Sequence, residues 1–264
     1  MSNQNGGWSR FDRRQQLLRF FSLLAGLIIF FAAWRAMEVN YGYAITAPVE
    51  LADLLQRMFP PNIGYTQSIT GALLETINIS ILGTALAIVM AVPVAFLGAN
   101  NTSPNKATYF FGKFVISFTR SVNVIIWALI FVVILGPGAL AGVLAIAVRS
   151  IGFTAKLIAE AIEEIDKGPV ESITAAGGSR FDVLIYAIIP QIKPAFISVA
   201  TLRWDINVRA STIIGFVGAG GIGVALQTQI NYFNWEAVLT ILLSILGLVL
   251  ISEAVSAYFR KKVM

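Results

Sequence analysis

Six apolar runs, each close to or above the roughly 20 residues that carry a helix across a bilayer core, constrain this chain more than any other feature. They lie at 17–37, 72–98, 107–135, 138–164, 180–206 and 235–258. Apolar residues make up 57% of the sequence and charged residues 12%, about half the charge of a soluble domain. The expected fold is therefore an all-α, polytopic membrane protein with about six transmembrane helices. Between the third and fourth runs stands only Gly136-Pro137-Gly138, a turn-forming triplet that predicts a tight hairpin.

The ends carry the clustered charge. Arg10, Arg13, Arg14 and Arg19 cluster at the start, and Arg260-Lys261-Lys262 follow the last run. By the positive-inside rule both ends belong in the cytoplasm, which an even number of spans satisfies. The first run follows a long basic stretch and no A-x-A cleavage site succeeds it, so a retained anchor is expected rather than a signal peptide. Residues 1–71 then comprise a cytoplasmic stretch, a peripheral helix and an external loop from Glu38 to Gly71. Residues 72–264 form the main membrane domain. The loop is too short for a core of its own, and the chain has neither an internal repeat nor a low-complexity tract.

Most enzymatic chemistry lacks its usual side chains. The sequence contains no cysteine and no histidine, which removes disulfides, thiolate sites and the commonest general base and metal ligand. No G-x-x-x-x-G-K-[ST] loop is present to cradle nucleotide phosphates. A proton-coupled carrier would place carboxylates within its spans, whereas Glu75 and Glu253 fall near predicted ends. No catalytic and no metal-binding residues are assigned, and energy for any active transport must come from another subunit.

The segment GPVESITAAGGSRFDVLIYAIIP, Gly168 to Pro190, interrupts the apolar pattern. Gly168-Pro169 suits a helix start, with Pro169 in the first helical position and Glu171 in the first turn beside the positive end of the helix dipole. Gly177-Gly178 supplies the stop. Ser179-Arg180-Phe181-Asp182 then has the form of a capping box that opens the next membrane helix. A short capped helix joined to a span on each side is a lever arm. Ala175, Ala176 and Gly177 are small enough for another protein to approach closely, and the aromatic and Leu-rich face of a lipid-lying helix is missing. Protein docking is the favoured use.

Glu171, Gly177 and Pro190 are spaced by six and thirteen residues, which resembles the E-A-A-x3-G-x9-I-x-L-P signature of ABC importer permeases. Ser172-Ile173 stand in place of the two alanines, Ala187 in place of isoleucine and Ile189 in place of leucine. The segments TRSVNV, GPVESITAAGG, RWDINVRAST and IIGFVGAGGIG are further similar to the phosphonate importer permeases. The resemblance implies the type I importer permease fold with five core helices from residue 72, and a cytoplasmic coupling helix that seats in the ATPase. Gly168, Pro169, Glu171, Ser172, Ala175, Ala176, Gly177 and Pro190 would serve that coupling. It also implies a second copy of this chain, two cytoplasmic ABC ATPase subunits that bind ATP and Mg, and an external phosphonate-binding protein. The surroundings would be the lipid of a bacterial inner membrane, with no nucleic acid partner and no cofactor in this chain.

Charged and polar groups within the spans are costly and usually face a bundle interior or aqueous cavity. Arg120, Asn123, Arg149, Arg203, Asp205, Asn207 and Arg209 are the candidates for a translocation pathway, with Arg203 and Arg209 first. Asp205 has the alternative of pairing with either arginine, and Arg149 and Lys193 of snorkelling. Gly218, Gly220 and Gly221 belong to a literal G-x-G-x-x-G, but no strand precedes it and a dinucleotide site is rejected. Those glycines suit either a gate or close helix packing. Pro93, Pro190 and Pro194 should kink their helices. Trp8, Trp34, Trp204 and Trp235 fall at expected interfaces. Rival readings are a permease for phosphite, a phosphate ester or an amino acid, a nucleotide-independent carrier or channel, and an intramembrane enzyme, for which no paired nucleophile and base is evident.

Overall fold

The computed structural model describes residues 13–38 and 40–263, and every regular element among them is helical. In order they are α1 (Arg13–Ala36), α2 (Tyr41–Met58), α3 (Thr66–Gly98), α4 (Lys106–Ser121), α5 (Val124–Leu135) and α6 (Ala139–Glu163). Then come α7 (Lys167–Ala175), α8 (Arg180–Val183), α9 (Ile189–Ile214), α10 (Ile222–Asn231) and α11 (Trp235–Val263). Trp8 and Arg10 lie outside the described residues. Five helical runs are long and apolar enough to cross a membrane, and six if α4 and α5 count as one.

The chain divides into two compact units after Gln56. In the first, α1 is apolar and exposed along its length, as a lipid-facing helix is. The stretch expected to be an external loop is mostly helical. Helix α2 takes up Tyr41–Met58 and α3 starts at Thr66 rather than at 72. Glu50, Asp53 and Arg57 among its apolar residues make α2 too polar to register as a membrane run, though not too polar to be a helix.

The second unit is built around α3 and α6. Gly83, Ala87, Ala91 and Ala95 recur every four residues along α3 and are buried, facing a comparably small set on α6 that includes Ala145, Ala155 and Ala159. A Cβ on Gly83 would come within 2.7 Å of Ile146. In lipid, apolar surface gains little by leaving its surroundings, so helices associate through close packing, which small residues permit. Large apolar side chains are turned outward instead, among them Leu82, Val89, Phe114, Ile134 and Leu246.

The third apolar run is not a straight span. Its two helices, α4 and α5, meet at 89°, because the Asn123 side chain accepts from the Ile125 amide and caps a new helix there. Hydropathy is blind to such a cap, since one polar residue barely changes the average of a long window. The hairpin at Gly136-Pro137-Gly138 is present, and α5 packs back on α6. The run expected to end at 206 continues to Val217. Just before Pro190 the helix widens into a π turn at Leu184–Ile188, where proline donates no hydrogen bond and presses on the carbonyl four residues back.

Candidate functional site

Residues 164–183 form an elbow between α6 and α9. Asp166, rather than Gly168, caps α7, accepting from the Gly168 amide at 3.0 Å. Pro169 is thus the third helical residue, still within the turn whose amides need no partner, and Glu171 lies in the second turn. At the far end Gly177 has φ +82, and the amide of Gly178 donates to Ile173 O while that of Gly177 donates to Thr174 O. This is a Schellman stop, for which glycine is suited by its tolerance of left-handed backbone. The reciprocal cap between Ser179 and Asp182 is present as expected.

Gln191 provides a clamp that no local signal announces. Its Oε1 accepts from the Asp166 amide at 2.9 Å, and its Nε2 donates to Asp166 O and Ala187 O. The start of α7 is thereby tied to the start of α9. Glu171, Ser172, Ala175, Ala176 and Gly177 remain exposed on the elbow, as does Pro190. Behind α7, a cavity of about 580 Å³ opens between Asn100, Thr102, Tyr109, Lys167 and Glu171.

Within the helix bundle, three arginines from three helices converge on one ring. The guanidinium carbons of Arg120 (α4), Arg149 (α6) and Arg203 (α9) lie 4.6, 5.0 and 4.9 Å from the Phe153 centroid. Gly152 makes the approach possible, since a Cβ there would come within 2.2 Å of Thr119 Oγ1 and 2.5 Å of Ile116 O on α4. Arg203 is only 4% exposed, with one hydrogen bond, from Nη2 to Ser150 Oγ at 3.2 Å. Among the described residues no carboxylate pairs with any of the three, and each has a buried Nε without an acceptor.

Arg203 is held through a buried relay. Ser150 donates to Asn207 Oδ1, Asn207 Nδ2 donates to Thr84 Oγ1, and Thr84 donates to Ser80 O. The chain links α9, α6 and α3. The expected pathway set therefore divides. Arg209 is engaged elsewhere, 2.7 Å from Asp205 and 3.7 Å from Glu253, while Ser252 donates to the other Asp205 oxygen. Asn123 is the cap of α5. Arg149 does not snorkel outward but joins the cluster. Phe153 and Ser150 were not singled out from sequence, although Phe153 follows Arg149 by one helical turn, a spacing at which side chains meet.

The glycine loop is closely packed. Gly218, Gly220 and Gly221 all have positive φ. A Cβ on Gly220 would lie 2.9 Å from the Ala139 backbone, and one on Gly221 2.7 Å from Thr76 Oγ1. The Ile222 amide donates to that hydroxyl at 2.7 Å, and the Gly138 amide donates to Gly218 O at 2.9 Å. The loop thus locks the α5–α6 turn onto α3. No strand precedes it among the described residues, so it is not a dinucleotide fold.

Fold and site define a non-catalytic membrane permease subunit of an ABC importer. The family described as binding-protein-dependent transport system inner membrane component matches residues 83–264, and the chain belongs to it. The phosphite transport system permease protein PtxC of Stutzerimonas stutzeri is 36% identical over 260 residues, 95% of this chain and 94% of that protein. The phosphate-import permease protein PhnE of Mycolicibacterium smegmatis is 40% identical over 211 residues, covering 80% of this chain and 40% of that protein. In structure, the inward-facing MetNI methionine ABC transporter matches with a TM-score of 0.67 at 22% identity, over 77% of this chain and 99% of that one.

Proposed function

We propose that this chain is the translocating subunit of an ATP-driven importer for a small phosphorus oxyanion such as phosphite, phosphonate or phosphate. It would act as a homodimer with two ABC ATPase subunits and an external binding protein, both termini facing the cytoplasm. The observation that carries this function is the elbow: a short exposed helix, capped at both ends and clamped by Gln191, is joined by short connections to the membrane helices on either side. Seated in a cleft of the ATPase, it would turn closure of the nucleotide sites into movement of α9. The oxyanion class is supported by the phosphite and phosphate permeases this chain is similar to and by arginines without carboxylate partners along the route.

The test is uptake by proteoliposomes containing the complete importer. Wild type should accumulate radiolabelled phosphite or phosphate only with ATP and its binding protein. Glu171→Lys should insert normally and lose uptake while retaining nucleotide hydrolysis, since breaking a charged docking contact costs about 2–5 kcal/mol. Undiminished uptake by that variant would remove α7 from the coupling role. Uptake of amino acids, with none of phosphorus oxyanions, would overturn the cargo.

A further inference from the structure

Resting on that function, we infer that Arg120, Arg149 and Arg203, gathered on Phe153, form a discrete site within the permease for one tetrahedral phosphorus oxyanion. Each guanidinium carbon lies at or within 5.0 Å of a single ring centroid. No two are therefore more than about 10 Å apart, a separation salt would not fully screen even in water. The ring quadrupole offsets part of this repulsion but accepts no guanidinium hydrogen bonds in the plane of the fork. Three unbalanced charges beside unpartnered, buried Nε groups are an arrangement that an anion completes. Guanidinium forks match the oxygens of phosphorus oxyanions in pairs, and three helices each contribute one.

Arg203 distinguishes this site from a solvated basic surface. It is 96% buried, from an exposure of 4%, and its Ser150 partner is itself fixed by Asn207. The fork is held before the ligand arrives, and ordering it adds little to the cost of binding. A dianion would neutralise two of three charges, leaving a site attractive enough to enter. Because α9 runs on from the elbow, movement of α9 against α6 would break the Arg203–Ser150 contact and weaken the site as the transporter turns over.

A phospholipid headgroup offers the same phosphate chemistry. Arg149 lies about 15 Å along α6, a helix about 37 Å long, so its cluster is far from either helix end. A diester headgroup would have to be drawn deep into the bundle, which favours the free anion.

Equilibrium binding of radiolabelled inorganic phosphate to the assembled permease–ATPase complex, without the external binding protein, tests the site directly. Nanodiscs of zwitterionic lipid should give saturable binding that is about tenfold or more weaker in Arg149→Gln and in Arg203→Gln. Lys156→Gln, the same charge change on the same helix at a residue paired with Glu160, should bind as wild type. Arg203→Lys, which retains the charge but loses the fork, should fall between and guards against misfolding of the Gln variant. Equal binding by all variants, or no binding by a complex that imports phosphorus oxyanions, would overturn the site. If the complex imports none yet binds phosphate through these arginines, the site stands and the proposed cargo fails. Displacement of phosphate by added phosphatidylglycerol, with a copurifying lipid lost from the Arg203→Gln protein, would assign the cluster to lipid and refute it as a cargo site.

Discussion

Single glycines in this protein do two separable jobs. Gly152 is a matter of space: an added methyl would lie 2.2 Å from Thr119 Oγ1 and 2.5 Å from the Ile116 backbone oxygen, so α4 must shift to admit it. Gly177 is a matter of conformation: nothing lies within 4 Å of a Cβ there, but its φ is +82. Gly152→Ala should thus cost about 1–3 kcal/mol as an overpacked contact and drive α4 from α6, moving Arg120 off Phe153. Gly177→Ala should cost about 1–2 kcal/mol as backbone strain and leave the bundle alone. Thermal unfolding in detergent, read beside anion binding, separates them: only Gly152→Ala is expected to lose both stability and phosphate affinity. The need for glycine at 177 was legible from its place after a short helix. The need at 152 was not, because it depends on α4, which is distant in sequence.

At the scale of elements, the elbow shows how local capping and one long-range clamp combine. Asp166 and Gly177 fix where α7 begins and ends, and the Ser179–Asp182 pair where α8 begins, and each is a signal within a few residues. Gln191 adds the attachment of α7 to α9. Gln191→Ala frees the Asp166 amide and carbonyl to solvent, so little stability should be lost. In its proposed coupling role, however, the elbow acquires a loose joint. In the reconstituted importer, transport per ATP hydrolysed should fall severalfold while the ATPase still docks, as measured by copurification. An unchanged ratio would remove Gln191 from the proposed coupling. The same scale explains the break between α4 and α5. Asn123 ends an apolar run of a length that would otherwise cross a membrane, and the resulting 89° turn brings Arg120 to the end of α4 beside α6.

For the whole molecule, the arrangement in the membrane follows from charge at its ends and the pairing of its helices. With no native cysteine, sidedness is open to single-cysteine labelling. Cysteines at Ser172 and at Lys261 should react with an impermeant maleimide only from the cytoplasmic face, and one at Asn231, at the exposed end of α10, only from outside. Labelling of 172 and 231 from the same side would refute the topology. The apolar runs, the hairpin glycines, the elbow caps and the missing catalytic side chains were all determined by the sequence alone, because each depends on neighbours along the chain or on composition. That Arg203 is buried beside two other arginines with no carboxylate was decided only by tertiary structure. Asp205 pairs with Arg209 one turn along α9, a spacing readable in the sequence, but Glu253 reaches Arg209 from α11, and Ser150 and Phe153 of α6 receive Arg203. The physical reason is that a charge is balanced by what lies across a few ångströms of space, and helices far apart in sequence bring those groups together.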